Sequence, residues 1–108
     1  VKPIHWRDPA RHDLEDAASW YAQQGGFLLE TRFIAAVEST SLLIRQHPAV
    51  GSARHANAVT GLPAPLRYFL IKHFERYLLY YLDLPTHVEV LRIWNSARGL
   101  AALMEGDA

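Results

Sequence analysis

RYLLYYLD, Arg76 to Asp83, is apolar on both faces of the strand it forms: Tyr77, Leu79 and Tyr81 fall on one side, Leu78, Tyr80 and Leu82 on the other. A strand of that kind needs cover on both faces, one of them open to a partner. LRYFLIK (Leu66 to Lys72) precedes it and HVEVLRIWN (His87 to Asn95) follows, both rich in β-branched, aromatic and leucine residues. Short breaks separate the three, which predicts a three-stranded antiparallel meander.

Upstream the period changes from two to that of a helix. PIHW, Pro3 to Trp6, reads as a short first strand. Asp8 then suits an N-cap and Pro9 the first helical position, where a missing N–H costs nothing. Ala10, Leu14, Ala17, Ala18 and Tyr21 form one apolar stripe, and Gly25-Gly26 ends it with a reversal. Leu29, Phe33, Ala36, Val37, Thr40, Leu43 and Ile44 make a second stripe over Phe27 to Gln46, closed by His47-Pro48. Two helices joined by a glycine pair predict an αα-hairpin. The segment from Pro48 to Pro65 is long for a connection, so it is functional, flexible or hides a short element. SARGLAALME, Ser96 to Glu105, suits a short last helix. The predicted order is β-α-α-β-β-β-(α), an α+β fold with the hairpin on one face of a mostly antiparallel sheet.

The 108 residues suit a single domain spanning 1–108, half of them hydrophobic and a fifth charged. No apolar run approaches the ~18 residues of a membrane span, and no basic-then-apolar start suggests a signal peptide. A cytoplasmic location is expected. Without cysteine there is no disulfide framework or thiolate metal site, and no histidine pair shows helical ligand spacing. Neither metal nor cofactor is expected. A formal charge of zero argues against strong nonspecific binding to nucleic acid.

Four pieces then stand in order: DLEDAASWYAQQGG (Asp13 to Gly26), HPAVG (His47 to Gly51), LPAPLRYFLIKHFERYLLYYL (Leu62 to Leu82) and VEVLRIWNSARG (Val88 to Gly99). Together they resemble the ParE/RelE superfamily of bacterial toxins from type II toxin–antitoxin modules, over nearly the whole chain. In that superfamily the RelE-like branch cuts messenger RNA on the ribosome, whereas the ParE-like branch binds DNA gyrase and traps its cleaved DNA complex. The helix–glycine–helix start and the PAVG connection are more similar to ParE. The end of the last strand departs from the common pattern, in which His follows the strand and Arg-Asp comes three residues on. Here those positions hold Asn95 and Arg98-Gly99.

Metal-free RNA cleavage requires a base for the 2′-hydroxyl, cations for the phosphorane and an acid for the leaving oxygen. On the nuclease reading Arg67, Lys72, Arg92 and Arg98 supply the cations and His73 or His87 the base. RelE-like nucleases often place Tyr or His near the C-terminus; after Leu100 this sequence offers Glu105 and Asp107. Alternation places Arg92 with Val88, Val90 and Trp94, and Leu91 with Ile93. Arg92 then either packs its stem beside Trp94 and sends its head to water or a carboxylate, or stands as a cation opposite the helices, converging with Arg67.

The resemblance therefore implies a non-enzymatic toxin that inhibits DNA gyrase by binding and forms a hetero-oligomer with a ParD-like antitoxin. Its contact candidates are Arg67, Arg92, Trp94, Asn95 and Arg98. A RelE-like endoribonuclease and a toxin-derived binding domain that has lost toxicity are the alternatives.

Overall fold

The computed structural model describes residues 1–105, so Asp107 lies outside the described residues. Strand β1 (Ile4–Trp6) leads into helix α1 (Asp8–Gln46), and β2 (Arg67–Leu70), β3 (Tyr77–Asp83) and β4 (Val88–Asn95) follow. The sheet order is β1-β4-β3-β2. The three later strands form the expected antiparallel meander, while β1 joins β4 in parallel, Ile4 opposite Val88 and Trp6 opposite Val90.

Helix α1 is two arms. A straight helix of 39 residues would run roughly 60 Å, whereas the longest dimension of the molecule is 39 Å. The break is Gly26, at φ 77 and ψ −168, a backbone region open essentially to glycine alone. Across the reversal the rings of Tyr21 and Phe33 meet with centroids 4.9 Å apart. The helix starts one residue earlier than the sequence suggests: Arg7 is the N-cap and makes no side-chain cap bond. Asp8, already helical, keeps its negative charge in the first turn, where the helix dipole favours it.

The stripes of both arms fill one core. Ala10, Ala17, Ala18, Tyr21, Phe33, Val37 and Ile44 pack on Leu79, Tyr81, Val88, Val90 and Ile93. Thr40 is buried here because its hydroxyl donates back to the Ala36 carbonyl at 2.8 Å. The opposite face of the sheet has its own core of Leu66, Leu78, Tyr80, Leu82, Leu91 and Trp94, closed by Leu103. Val59, Leu62, Leu100 and Met104 pack around it. The cover that the sequence left open to a partner thus comes from the chain itself.

Two further expectations are corrected. Tyr80 lies opposite Arg92 but Tyr81 opposite Val90, a β-bulge that leaves Leu91 as an extra residue. One extra residue reverses the alternation downstream of it. Val88, Val90 and Ile93 therefore share the helix side, and Leu91 and Trp94 the other. The last helix is also absent. A 3₁₀ turn over Ser96–Arg98 stops at Gly99, at φ 73 and ψ 168, and short-range turns continue to Glu105. The segment between the prolines hides a 3₁₀ turn, Ala56–Ala58, and a bridge from Ser52 to Tyr68 on the outer edge of β2.

Candidate functional site

Strand β1 runs beside β4 only as far as Trp6, opposite Val90, and beyond that point the first arm of α1 takes its place. Asp13, on that arm, accepts from the Ile93 backbone N–H at 3.1 Å. The same carboxylate accepts from Arg92 Nε at 2.7 Å and Nη2 at 2.8 Å, a fork-to-fork pair. Arg92 Nη1 turns the other way and donates to the Leu103 and Glu105 carbonyls, both at 2.9 Å. Only 8 % of Arg92 is exposed. The reading of Arg92 as an open cation opposite the helices, converging with Arg67, does not describe this geometry. The bulge puts Arg92 on the far-side face beside Trp94, opposite Tyr80, and from there its head reaches the Asp13 carboxylate and ties helix, strand and tail together.

Trp94 packs in the far-side core and donates from Nε1 to the Gly99 carbonyl at 2.9 Å. Two guanidiniums lie over its ring, Arg92 at 4.7 Å from the centroid and Arg98 at 4.2 Å. Asn95 ends β4 and accepts from the Ala97 N–H at 3.0 Å, shaping the turn that presents Arg98. The two departures from the superfamily pattern thus have local reasons: Asn95 caps this turn, and Gly99 occupies a conformation that an aspartate would enter only under strain.

Arg98 and Asn95 open onto a cleft of about 300 Å³, walled by Asp13, Asp16 and Trp20 of the first arm and by Arg76 and Tyr77 at the start of β3. Arg76 stands over the Trp20 ring at 5.4 Å. Its backbone carbonyl accepts from Ser96 N–H at 2.8 Å, which holds the two turns side by side. Burial keeps the Tyr77 phenol above its ordinary value of 10.0, with Arg76 opposing and Asp13 and Asp16 adding to the rise.

The other candidates lie elsewhere. Arg67 donates from Nη1 to the Gly51 carbonyl at 2.9 Å and to that of Ala49 at 3.3 Å, fastening the PAVG turn to β2. Lys72 flanks a separate, apolar cleft of about 480 Å³ beside Val50, Tyr68 and Leu70. His73 sits at φ 70 with its N–H on the Glu75 carboxylate. His87 stacks on His5 with centroids 4.4 Å apart and lies 3.6 Å from Glu89. It precedes β4, so about 25 Å of extended strand separates it from Asn95. Of the candidates, Arg92, Trp94, Asn95 and Arg98 come together, and Arg67, Lys72, His73 and His87 do not join them.

Sequence reasoning missed Asp13 as a partner of Arg92, and Arg76 and Trp20 as walls of one cleft. No short-range pattern links Asp13 with Arg92, whose partnership follows from where β1 ends. Among the described residues no group of three or more His, Cys, Asp or Glu is placed to hold a metal. No helix among them is long and apolar enough to cross a membrane.

No match is found among curated proteins. Among solved structures, a chain from a chromosomal ParDE toxin–antitoxin system of P. aeruginosa has a TM-score of 0.69 at 15% identity, covering 87% of this chain and 95% of that one. At that identity the likeness is one of fold. The family model for the ParE toxin of the type II toxin–antitoxin system, parDE, matches residues 4–100. That match runs from β1 through the Arg98 turn, and the chain accordingly belongs to the ParE toxin family of type II toxin–antitoxin systems.

Proposed function

We propose that this toxin acts by binding DNA gyrase and stabilising its cleaved DNA complex, and that a ParD-like antitoxin neutralises it in a cytoplasmic hetero-oligomer. The observation that carries binding over cleavage is the dispersal of the groups a nuclease would need. Arg92 is engaged by Asp13, and Arg67 by the carbonyls of the 49–51 turn. His87 lies a strand length from Arg98. General acid–base catalysis needs its donor and acceptor within hydrogen-bond reach of one scissile group. An open edge of Asn95 and Arg98, held from beneath by the buried Trp94 and Arg92, suits recognition instead, and Trp94 itself, 1 % exposed, is a support and not a contact.

The hairpin supports the antitoxin half of the reading. Ile4, Trp6, Leu14, Ile34, Val37 and Leu42 line an open groove of about 300 Å³ between the two arms and β1. Such a groove suits apolar anchors spaced along an antitoxin segment.

The test is induced expression without antitoxin, with DNA and protein synthesis followed by pulse labelling, beside a plasmid-cleavage assay containing purified gyrase and ATP. DNA synthesis should fail first, and linear plasmid should accumulate in proportion to toxin. Early arrest of protein synthesis with cut messages would replace this reading with endoribonuclease activity. Normal growth with folded protein present would leave a domain that binds antitoxin only.

A further inference from the structure

Arg76 and Arg98 stand apart from the other cations at this end of the molecule. Among the described residues, neither guanidinium has a carboxylate within ion-pair distance or a carbonyl acceptor; each rests on a tryptophan, Arg76 on Trp20 and Arg98 on Trp94. Stacking uses the face of a guanidinium and leaves its N–H edge able to grip a carboxylate or phosphate with two bonds. The rings also hold both heads in place, so less side-chain freedom is lost on binding. Both arginines line the same cleft.

Two features choose between anions. The cleft, about 300 Å³, admits a side chain and a little backbone. Its surroundings are acidic: Asp13 and Asp16 line it, and Asp8 and Glu105 line an adjoining hollow that shares Arg98. A nucleic-acid backbone would carry a row of phosphates past those carboxylates and be repelled. Asp13 is already paired with Arg92, so one carboxylate seated between the two guanidiniums meets two positive charges against the charge of Asp16, unpaired among the described residues.

We infer that the cleft between Trp20–Arg76 and Trp94–Arg98 receives an aspartate or glutamate side chain of a protein partner, clamped by the two arginines. This rests on reading the chain as a toxin that acts by binding, and it adds the chemistry of the group bound.

The test uses the full chain, ¹⁵N-labelled and followed by NMR, with three probes: the capped pentapeptide Ala-Ala-Glu-Ala-Ala at millimolar concentration, its Gln counterpart, and a short DNA duplex. The Glu peptide should move the Arg76 and Arg98 Nε–H signals and the Trp20 indole N–H. Its affinity should fall about tenfold or more in Arg76→Gln or Arg98→Gln, the loss of one charged hydrogen-bonded contact. Both residues are exposed, so these variants should keep the native amide spectrum, and Lys72→Gln should bind as the parent does. The inference is overturned if those signals stay still, if the Gln peptide moves them equally, or if the duplex binds more tightly than the Glu peptide. Gyrase cleavage, run in parallel, separates the two claims. Trapping without peptide binding removes only the clamp, and peptide binding without trapping removes only the gyrase reading.

Discussion

Asp13 and Arg92, 79 positions apart, meet through two hydrogen bonds of 2.7 and 2.8 Å with side chains only 12 and 9 % exposed. The contact does more than pair charges. Asp13 also satisfies the N–H of Ile93 where β4 has lost its neighbour, and Arg92 holds the Leu103 and Glu105 carbonyls. One ion pair therefore closes the free edge of the sheet and fixes the tail over the far-side core.

Removing one member of a buried pair leaves the other without compensation, a loss of about 3–5 kcal/mol. Arg92→Met should cost about that in urea unfolding and should make the segment after Gly99 easier to cleave by protease. Asp13→Asn combined with Arg92→Met should cost clearly less than the two single losses added, since the pair is coupled. Additive losses would mean that Asp13 and Arg92 contribute independently.

Tyr81 does for the PAVG turn what Arg92 does for the tail. Its hydroxyl donates to the Pro48 carbonyl at 2.7 Å and accepts from the Gly51 N–H at 2.8 Å. Tyr81→Phe leaves both backbone groups short of a partner and should cost about 1–3 kcal/mol. Gly51→Ala should cost more, because a Cβ there would lie 2.5 Å from the Tyr81 hydroxyl. Thermal unfolding ranks the two, and equal stability of Tyr81→Phe and the parent would show that water replaces both bonds.

The hairpin, the meander and the double-faced β3 were legible because each is written in local periodicity. Leu79 and Tyr80 had to be buried on opposite sides whatever covered them. What lay over the second face was not legible: Leu62 sits in a segment without a period and Leu103 in one that reads as a helix, and only the folded chain brings them onto the core of Leu78 and Trp94. The bulge was hidden for a related reason. Leu91 and Arg92 look like ordinary alternating residues, and the extra residue shows only against Tyr80 and Tyr81 on the facing strand. Asn95 and Arg98 could be named because a strand end is exposed almost by definition. Arg76 could not, since its link to Arg98 runs through a pairing across strands.

A side chain at Gly26 should be destabilising, although nothing lies within 4 Å of where a Cβ would go. The cost is purely conformational, about 1–3 kcal/mol for a residue held in that region. Gly26→Ala should therefore lower stability by that amount with the core intact, visible as an unchanged slope against urea. An unaffected midpoint would mean the reversal can adopt a second backbone conformation.

At high pH, Tyr80 should set a limit. Burial foremost, with nearby Tyr68 second, pushes its phenol up to about 12 from 10.0. Its hydroxyl is 2.8 Å from His55 Nδ1, beneath the connection between α1 and β2. A raised folded value means that the neutral form is favoured in the native state. Its contribution is whole below pH 10 and lost as pH rises through about 12. Tyr80→Phe should flatten the alkaline decline seen in urea midpoints, and an identical decline would assign it to other groups.

At low pH the corresponding group is Glu89, on β4 opposite His5. Desolvation alone would raise its carboxyl, but Arg7, bonded at 2.9 Å through Nε, and His87 at 3.6 Å outweigh it and hold the carboxyl below its ordinary 4.5. The native state thus favours the ionised form. That contribution is present above pH 4.5 and disappears as pH falls through the lower folded value. Glu89→Gln should be less stable than the parent at neutral pH, and the gap should close on acidification below 4.5. Arg7 links the end of β1 to β4 just before the chain turns into α1, so loosening should begin there. Hydrogen exchange should show it first at the Arg7 N–H, bonded to the Val90 carbonyl at 3.0 Å. A gap that stays constant from neutral pH to acid would mean that Glu89 acts by packing alone, and that its charge makes no contribution to the junction.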